Sequence, residues 1–485
     1  MLYYFLMMFD SSTFVQMQRE MDQGQQIKEL YSVVFKLINE IEDLKNTNAR
    51  LLKANMVLTQ ENQELKQKLE KYRTPKNSGN SHKPPSSDLP KLQKTQSLRE
   101  PSGKKPGGQP GHEGTTLKMS QTPDSVLEHS PNYCTCCGED LSGYQHLFIG
   151  RRQVIDIPPI QPIVTEHHLF EVHCKCGHCN KASYPEGIVA PVSYGPNVQS
   201  LVSYLSVRQY LPVERITELL SSLFNLSLST GGVCYLLEKM KQKALPIYET
   251  IRQMVVNGKV TGADETGVNI NGKNHWVWVF QNTRATYIAI NESRGSKAIS
   301  EIMPEGFDNK MLVTDCWAAY FKENKTSHQL CTAHLLRELK FFTQKYPENN
   351  WAPRLSQLIV QALCLRKENQ VTHEKSGEIN QTFSQLLTET IDQKIKELET
   401  FQKRMVKYSS YVFPFLENPD IPPDNNASER AIRNVKVKQK VSNFFKSIEG
   451  SDSYAVIRSV IDTAIKNNQN PFVAIKLIAI LSVTE

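Results

Sequence analysis

The feature that most constrains this chain is a run of leucines spaced seven residues apart near its start. Leucine occupies positions 30, 37, 44, 51, 58 and 65, and the positions three residues earlier hold Ile27, Val34, Ile41, Asn48, Asn55 and Asn62. Leucine at d with β-branched residues and asparagine at a is typical of a parallel two-stranded coiled coil. A single amphipathic helix that packs on a domain seldom keeps a strict seven-residue repeat over this length. Residues 25–73 are therefore predicted to be a leucine zipper that forms a homodimer.

The segment after the zipper, residues 74–118, is rich in proline, glycine, serine and lysine. Between Lys71 and Lys118 there are ten lysines and arginines against three acids, an excess that equals the +7 net charge of the whole chain. Such a segment cannot bury a core, so it is predicted to be a flexible tether. A plain linker and a phosphate-contacting arm, with Lys104 and Lys105 as candidate DNA contacts, both remain open.

The first residues and the cysteine count bear on the compartment. The opening "MLYYFLMMFD" is apolar for nine residues, too short for a bilayer span and without the basic start of a signal peptide. A mis-assigned start upstream of Met17 or Met21 would explain it, and residues 1–24 are set apart as an N-terminal segment. Ten cysteines in a large chain without an export signal point to a reducing compartment, where clustered cysteines more often bind metal.

Two cysteine clusters lie within residues 119–190. "YCTCCG" supplies Cys134 and Cys137 in the spacing of a zinc knuckle, and "HCKCGHC" supplies Cys174, Cys176 and Cys179. Four of these five thiolates are predicted to hold one structural Zn²⁺. It remains open which two of Cys174, Cys176 and Cys179 are zinc ligands. The alternating residues between the clusters predict a small hairpin, whereas buried free thiols would leave the pairing unexplained.

Three helix patterns follow one another between residues 191 and 250. Pro212 suits a first helical turn, and Ser229 suits the N-cap of the third helix. This pattern predicts a helix-turn-helix whose last helix enters a DNA groove, although three packed helices without a DNA role fit this segment nearly as well.

Acids follow two buried strand patterns further along the chain. Asp264 lies in "GKVTGADETGVNI", on or just after the first strand of a meander, and Asn271-Gly272 predicts a tight hairpin after it. Asp315 ends the apolar run "MLVTD" before a helix-like segment. Two buried strands that each end in an acid are not typical of solvated turns, and they favour a metal site.

A third acid, Glu429, lies on a predicted helix among cationic residues. Alone, Glu429 and Arg433 would be a surface ion pair of a few tenths of a kcal/mol. Together, the acids Asp264, Asp315 and Glu429 can supply the carboxylates that two divalent cations about 3.5–4 Å apart require for phosphoryl displacement. The neighbouring cations are then predicted to contact nucleic-acid phosphates, and they are Arg430, Arg433, Lys436, Lys438 and Lys440.

The order and spacing of several motifs make the chain resemble a DDE transposase of the insertion-sequence-sixty-six group of bacterial mobile elements. The motifs are "KPPSSD", "SGKKPGGQPGH", the double cysteine cluster, "ADETGVNINGKNHWVWVF", "LVTDCWAAY", "CTAHLLREL", "NNASERAIRNVKVKQK" and "SDSYAVIRSVIDTAIKNNQNPFVAI". The resemblance runs from the zipper to the C-terminus. It implies a ribonuclease-H-like catalytic core, with Asp264, Asp315 and Glu429 as the triad that binds Mg²⁺ or Mn²⁺. It also matches Cys331, His334 and Arg337 to the family's C-x-A-H-x-x-R segment.

The predicted fold is a multidomain α+β chain. It comprises a parallel coiled coil, a small zinc module, a helix-turn-helix, a ribonuclease-H-like α/β core over 255–445 with a helical insertion at about 345–420, and a C-terminal helical region over 446–485.

The predicted function is two-metal cleavage and joining of double-stranded DNA at the ends of the chain's own element. The resemblance implies a cytoplasmic, nucleoid-associated protein, with accessory proteins of the same element as further partners.

Two other functions remain open from the sequence. One is a zipper-dimerised zinc regulator that binds DNA and whose acid triad is a relic. The other is a sequence-tolerant nuclease of the same fold. Metal-dependent nicking of an element end separates the first from a transposase, and strand joining separates the second.

Overall fold

A computed structural model of the chain describes residues 25–73, 117–185, 187–188, 190–322, 325–392, 395–443 and 445–481, with positions 12, 76, 80, 111, 113 and 114. The predictions for the opening segment and for Lys104 and Lys105 lie outside these residues. The chain divides into two compact units, residues 1–77 and 78–485, which are described separately. No helix of the described part is long and apolar enough to cross a bilayer.

The first unit contains one long helix, α1 (Gln25–Arg73), over the predicted heptads. Leucines at the d positions are exposed on it, with Leu44 at 67%, Leu51 at 59% and Leu65 at 60% of full accessibility. An apolar stripe of this length on a single chain has the pattern that a second helix would cover. Pairing of two copies through α1 stays a prediction.

The cysteine-rich region has few regular elements. Two short antiparallel strands, β1 (Glu171–His173) and β2 (Cys179–Lys181), flank the second cysteine cluster. The hairpin predicted between the clusters is absent, because residues 147–170 form no strand. Pro158, Pro159 and Pro162 interrupt the alternating pattern, and proline cannot donate to a strand ladder.

A helical region follows, made of α2 (Pro196–Ser203), a π-helical turn (Tyr204–Arg208), α3 (Val213–Phe224) and α4 (Thr230–Val256). The predicted cap is present, since the Ser229 hydroxyl accepts a hydrogen bond from the backbone N–H of Gly232 at 3.0 Å. Helix α4 ends at Val256, beyond the predicted boundary at residue 250. The helices are therefore observed, and their role in DNA binding stays a prediction.

A five-stranded mixed sheet forms the centre of the second unit. In chain order its strands are β3 (Val260–Ile270), β4 (Lys273–Gln281), β5 (Thr286–Asn291), β6 (Phe307–Thr314) and β7 (Lys325–Leu330). Their spatial order is β5-β4-β3-β6-β7, in which β3, β4 and β5 are an antiparallel meander and β6 and β7 run parallel to β3. The predicted hairpin is confirmed, since Asn271 and Gly272 join β3 to β4 with φ of 46° and 81°.

The remaining helices cover the sheet or follow it. They are α5 (Ser296–Ile302), α6 (Thr332–Lys345), α7 (Trp351–Lys367), α8 (His373–Thr388), α9 (Lys396–Lys407), α10 (Pro414–Glu417), α11 (Asn426–Ser442), α12 (Ile448–Lys466) and α13 (Pro471–Ile480). Helices α7 to α10 lie where the insertion was predicted and share a hydrophobic core with α6. The structure confirms a mixed α/β fold with many helices.

Helix α11 packs against β3 and β4, and its first turn comes close to the backbone of β3. A β-carbon at Gly262 would lie 2.4 Å from Gln281 Nε2, 2.8 Å from Asn425 Oδ1 and 2.9 Å from Ser428 Oγ. Glycine at this position therefore permits the close approach of α11 to β3.

The substitution Gly262→Ala is expected to destabilise the fold by about 1–3 kcal/mol, because the added methyl group forces α11 away from β3. Urea unfolding of the full chain measures the effect. Gly267→Ala is the matched control on the same strand, since its β-carbon would meet only the Trp276 ring at 3.7 Å. Equal stability of the two variants would contradict the close packing.

Candidate active site

Asp264 and Asp315 lie on neighbouring parallel strands. Strand β3 pairs with β6 in a register that joins Val260 to Met311 and Gly262 to Val313. Continued by two residues, this register places Asp315, directly after β6, beside Asp264. Asp264 is the fifth residue of β3, so it lies inside a central strand and not at a strand end. Strand β3 continues beyond the end of β6 because it also pairs with β4 up to Ile270, so Asp264 can lie within β3 while Asp315 follows β6.

Glu429 is brought to the same place by the first turn of α11. The Asn425 side-chain amide donates to the carbonyl oxygen of Ala263 at 2.6 Å, next to Asp264. The Ser428 hydroxyl donates to Asn425 Oδ1 at 2.6 Å and fixes the orientation of that amide. Glu429 follows Ser428 in sequence, so this contact holds the start of α11, and Glu429 with it, at the middle of β3.

Asp264 is influenced by the negative charges of the other acids. Burial raises the pKa of Asp264 well above its ordinary range. The negative charges of nearby carboxylates raise this pKa further, and they belong to Glu265, Asp315 and Glu429. Like charges at this separation are costly unless a cation or a proton is present. Asp315 and Glu429 thus lie near enough to Asp264 to affect its charge, but among the described residues the three carboxylates do not form a group of ligand atoms within 4.8 Å of one another.

Helix α6 supplies two partners of Glu429. The Arg337 guanidinium donates to Glu429 Oε1 through Nη2 at 2.9 Å, and His334 Nδ1 lies 3.5 Å from the same oxygen. Both partners lie on one face of α6 because they are three residues apart. The predicted C-x-A-H-x-x-R segment therefore contacts the third acid.

Cys331, the first residue of that segment, is buried at the start of α6. Its sulfur accepts the backbone N–H of Asn425 at 3.2 Å, and burial raises the pKa of its thiol to about 12. A sulfur, a ring nitrogen and a carboxylate oxygen of Cys331, His334 and Glu429 lie within 4.8 Å of one another. The bond to Asn425 gives this buried thiol a structural role at the start of α11.

The acidic cluster fits hard divalent cations. Its donors are carboxylate oxygens, which Mg²⁺ and Mn²⁺ prefer over nitrogen and sulfur. The raised pKa of Asp264 marks an excess of negative charge that a bound cation would neutralise. Asp264, Asp315 and Glu429 are the residues that would hold such ions.

The helical insertion also contributes a cation near the second acid. Arg404 on α9 forms an ion pair with Glu338 on α6. Burial lowers the pKa of Arg404, but the negative charges of Glu338 and Asp315 outweigh burial and raise it. The insertion is thus electrostatically coupled to the Asp315 side of the cluster.

The cations of α11 do not all face solvent as predicted. Arg430, Arg433 and Lys440 are exposed, and Arg433 Nη2 lies 3.9 Å from Glu429. Lys438 is buried, donates to the carbonyl oxygens of Ser206 and Leu211 at 3.3 Å, and has its pKa lowered to about 8 by burial.

Lys436 is half-buried and donates to the carbonyl oxygen of Gly267 at 2.7 Å. Phosphate contact by Lys436 and Lys438 therefore stays a prediction. Their ammonium groups satisfy buried backbone carbonyls, which the residue spacing alone does not reveal.

The first cysteine cluster has the backbone of a metal knuckle. Gly138, at φ 77°, donates its N–H to the carbonyl of Cys134 at 2.9 Å. Backbone N–H groups of Cys137 and Cys136 lower the pKa of the Cys134 thiol. Hydrogen bonds from amides to sulfur stabilise a thiolate, the form that binds Zn²⁺.

The second cluster repeats this turn with one residue fewer. Gly177, at φ 89°, donates its N–H to the carbonyl of Cys174 at 2.9 Å, and the backbone N–H of Cys176 lowers the pKa of the Cys174 thiol. By position relative to the glycine, Cys174 and Cys176 correspond to Cys134 and Cys137. Cys179 instead lies on β2.

The two thiol pairs are separate in this structure. Among the described residues, no group of three metal-binding atoms within 4.8 Å combines thiols of both clusters. A different group, made of Glu171, His173 and Cys179, meets that distance on β1 and β2. Each knuckle turn is formed by itself, and its donors fit zinc.

Sequence reasoning missed the side chains around Glu265. Arg294 and Tyr320 both contact the Glu265 carboxylate, and neither residue was among the predicted site residues. The adjacent acids in "DET" were the one local signal. Arg294 lies in a loop with no distinguishing motif, so nothing in its own segment points to the site.

Three family models match the chain. Residues 191–453, more than half of the chain, match the Transposase IS66 family, and this span contains all three clustered acids. The chain belongs to the IS66 family of transposases. Residues 131–177 match the zinc-finger binding domain of transposase IS66, and residues 39–118 match a family of unknown function, DUF6444. No curated protein matches the chain.

The extents of these matches bear on the zinc ligands of this IS66-family transposase. The zinc-finger match includes both knuckle turns and ends at Gly177, so it contains Cys174 and Cys176 but not Cys179. The structural correspondence of the two turns and the extent of the family match favour the same downstream pair.

Proposed function

We propose that this transposase cleaves and joins DNA at the ends of its own insertion element, with Asp264, Asp315 and Glu429 as the catalytic acids. The observation that carries the proposal is the meeting of these acids from β3, the end of β6 and the first turn of α11. Three carboxylates from distant segments repel one another when they are close. This repulsion destabilises the folded state unless a cation binds between them.

The sheet supports a ribonuclease-H-like core for this reaction. Three antiparallel strands followed in space by two strands parallel to the first give the order β5-β4-β3-β6-β7. The first and second acids lie on adjacent central strands, and the third lies on the helix that covers them. The helices α7 to α10 between the second and third acids are the predicted insertion.

The reaction is an in-line displacement at phosphorus. Water attacks a phosphodiester at the element end, the bond from phosphorus to the 3′-oxygen breaks, and that oxygen leaves as a 3′-hydroxyl with a proton from the water. The freed 3′-hydroxyl then attacks a phosphodiester of the target DNA, whose own 3′-oxygen leaves and takes up the proton. Two Mg²⁺ or Mn²⁺ ions, when bound, supply a lowered pKa for the attacking water and charge neutralisation for the leaving oxygen.

The chain's own residues bind and orient the components of this reaction. The carboxylates of Asp264, Asp315 and Glu429 would hold the ions, and Arg337 keeps Glu429 in place through its 2.9 Å contact. The exposed cations of α11 are proposed to contact DNA phosphates, and they are Arg430, Arg433 and Lys440.

Other parts of the chain bind and pair the DNA ends. The helices α2 to α4 and the zinc module bind the element ends, and α1 pairs two copies so that two ends are held together. This assignment rests on the exposed leucine stripe of α1, on the capped helix α4 and on the zinc-finger match. Accessory proteins of the same element are further proposed partners.

One Zn²⁺ is proposed to bind Cys134, Cys137, Cys174 and Cys176. Cys176→Ser is expected to lower the zinc content of the purified protein from one equivalent to well below one, since three thiolates hold zinc far more weakly than four. Cys179→Ser should keep a full equivalent. Elemental analysis by mass spectrometry measures both, and loss of zinc from Cys179→Ser alone would contradict the assignment.

Cleavage of a DNA duplex that carries an element end tests the function. The full chain is expected to nick this duplex with Mg²⁺ or Mn²⁺ and to be inactive with EDTA, and to join the freed 3′ end to a second duplex. Binding without nicking would favour a zinc-containing regulator. Nicking of any duplex without joining would favour a nuclease.

A further inference from the structure

Two adjacent acids on β3 have different environments. Asp264 faces Asp315 and Glu429, whereas the Glu265 side chain is 2% exposed and has both carboxylate oxygens engaged. Successive residues of a strand point to opposite faces, so the two carboxylates lie on different sides of β3. Glu265 is therefore not available as a further metal ligand.

One oxygen of Glu265 is bonded to the turn that follows the second acid. The hydroxyl of Tyr320, in the 3₁₀ turn Ala318–Phe321, donates to Glu265 Oε2 at 2.5 Å. Tyr320 is fully buried, and its ring packs edge-on against Trp278 on β4. This bond links the centre of β3 to a point five residues beyond Asp315.

The other oxygen of Glu265 is bonded to a loop on the far side of the meander. Arg294, between β5 and α5, donates to Glu265 Oε1 through Nε at 2.9 Å, and its Nη2 forms an ion pair with the same oxygen at 2.9 Å. Its guanidinium lies between two indole rings, 4.7 Å from the Trp276 ring centre and 3.9 Å from that of Trp317. Stacking and the ion pair together restrict this arginine to one position.

Trp317 closes these contacts into a ring that includes Asp315. Its indole N–H donates to the carbonyl oxygen of Arg294 at 3.4 Å, and its backbone N–H donates to Asp315 Oδ1 at 2.9 Å. We call Glu265, Arg294, Trp317 and Tyr320 the Glu265 network. The orientation of the Asp315 carboxylate thus depends on a turn that Glu265 holds from both sides.

We propose that Glu265 is a positioning residue, which holds the turn carrying Asp315 through Tyr320 and Arg294 and thereby sets the affinity of the acidic cluster for divalent cations. The proposal rests on the proposed function, because it needs the cluster to bind such ions. Groups that orient metal ligands from behind typically change metal affinity by about 10–100-fold when removed.

Charge alone does not explain a second acid at this position. Burial raises the pKa of Glu265, and the charge of Asp315 raises it further, while Tyr320 and Arg294 oppose that rise. A second carboxylate here adds repulsion to the cluster, so charge alone gives it no advantage. Its benefit lies in the directional bonds that it makes with the Asp315 turn.

The test is calorimetric titration of Mn²⁺ into the full-length protein and its Tyr320→Phe variant. Removal of one hydroxyl keeps the buried ring and breaks the bond to Glu265, so the Mn²⁺ dissociation constant should rise about tenfold or more. The Mg²⁺ concentration for half-maximal cleavage should rise with it, while the KM for the end duplex stays unchanged.

Tyr248→Phe is the matched control. It removes a tyrosine hydroxyl that donates to the carbonyl of Ile288 on β5, two strands from β3. It should change neither Mn²⁺ affinity nor cleavage. Glu265→Gln is the second variant, and thermal melting checks that each protein is folded.

The outcomes separate this inference from the proposed function. Weaker Mn²⁺ binding in both Tyr320→Phe and Glu265→Gln supports the positioning role. Wild-type affinity in Tyr320→Phe overturns it, whether or not Glu265→Gln loses metal, and leaves the proposed function intact. No Mn²⁺ binding and no cleavage by the wild-type protein overturn both.

Discussion

Asp264→Asn is expected to abolish strand cleavage and, at the same time, to raise the melting temperature of the ion-free protein. Cleavage should fall by at least about 10³-fold, because a metal carboxylate contributes several kcal/mol to the reaction and each 1.36 kcal/mol is a factor of ten. Asparagine has the same shape and keeps an oxygen that can accept the Glu265 backbone N–H, as Asp264 Oδ1 does at 2.9 Å.

The stability gain follows from the charges around Asp264. Burial and three neighbouring carboxylates raise the pKa of Asp264, so the ionised side chain opposes folding near neutral pH. The neutral side chain removes that repulsion and should stabilise the ion-free fold by about 1 kcal/mol or more. Mn²⁺ should raise the melting temperature of the wild type and have little effect on the variant.

Asp308→Asn is the control for this pair of effects. Asp308 is exposed near the start of β6, the strand that Asp315 follows, so the same chemical change occurs away from the cluster. It should alter neither cleavage nor melting. Binding of the end duplex, measured by fluorescence anisotropy, should be near wild type in both variants. Cleavage by Asp264→Asn within tenfold of wild type would show that the acid is not part of the reaction centre.

Arg337→Gln is expected to reduce cleavage by about 10–100-fold with little change in DNA affinity. Arg337 is the closest cation to Glu429, at 2.9 Å, and its side chain is 22% exposed. Its loss leaves a largely buried carboxylate without its main partner and lets the third acid move. Single-turnover cleavage with saturating end duplex separates this effect from weaker binding.

Arg433→Gln provides the contrast on the same carboxylate. Arg433 Nη2 lies 3.9 Å from Glu429, and its side chain is 74% exposed. This variant should keep most single-turnover cleavage, bind DNA more weakly and show a salt dependence of binding that is shallower by about one phosphate contact. If Arg433→Gln lost more cleavage than Arg337→Gln at saturating DNA, the roles assigned to the two arginines would be reversed.

Local sequence signals predicted the first two acids and the strands that carry them. Asp264 and Asp315 each interrupt an apolar, strand-like run, which is unusual enough to indicate a site. Glu429 lacked such a signal, since its i,i+4 spacing from Arg433 fits an ordinary surface ion pair. Its combination with the two strand acids made it a candidate and the resemblance to a known family supported it, while the contact of Asn425 with β3 shows how it approaches Asp264.

Contacts between distant segments account for what the sequence did not predict. Arg294 meets Glu265 only because β3, β4 and β5 fold into a meander, and no pattern near Arg294 encodes this. Lys438 belongs to a basic helix whose sequence predicts that all of its cations are exposed, yet Lys438 packs against the turn at Ser206. Tertiary packing decides which cations of a basic helix face solvent.

The most direct test of the central claim is anomalous diffraction from crystals of the full-length protein grown with Mn²⁺ and an end duplex. The account predicts Mn²⁺ peaks between the carboxylates of Asp264, Asp315 and Glu429, absent in crystals of Asp264→Asn. Mn²⁺ peaks elsewhere in the protein, with no ion at these three acids under saturating Mn²⁺, would contradict it.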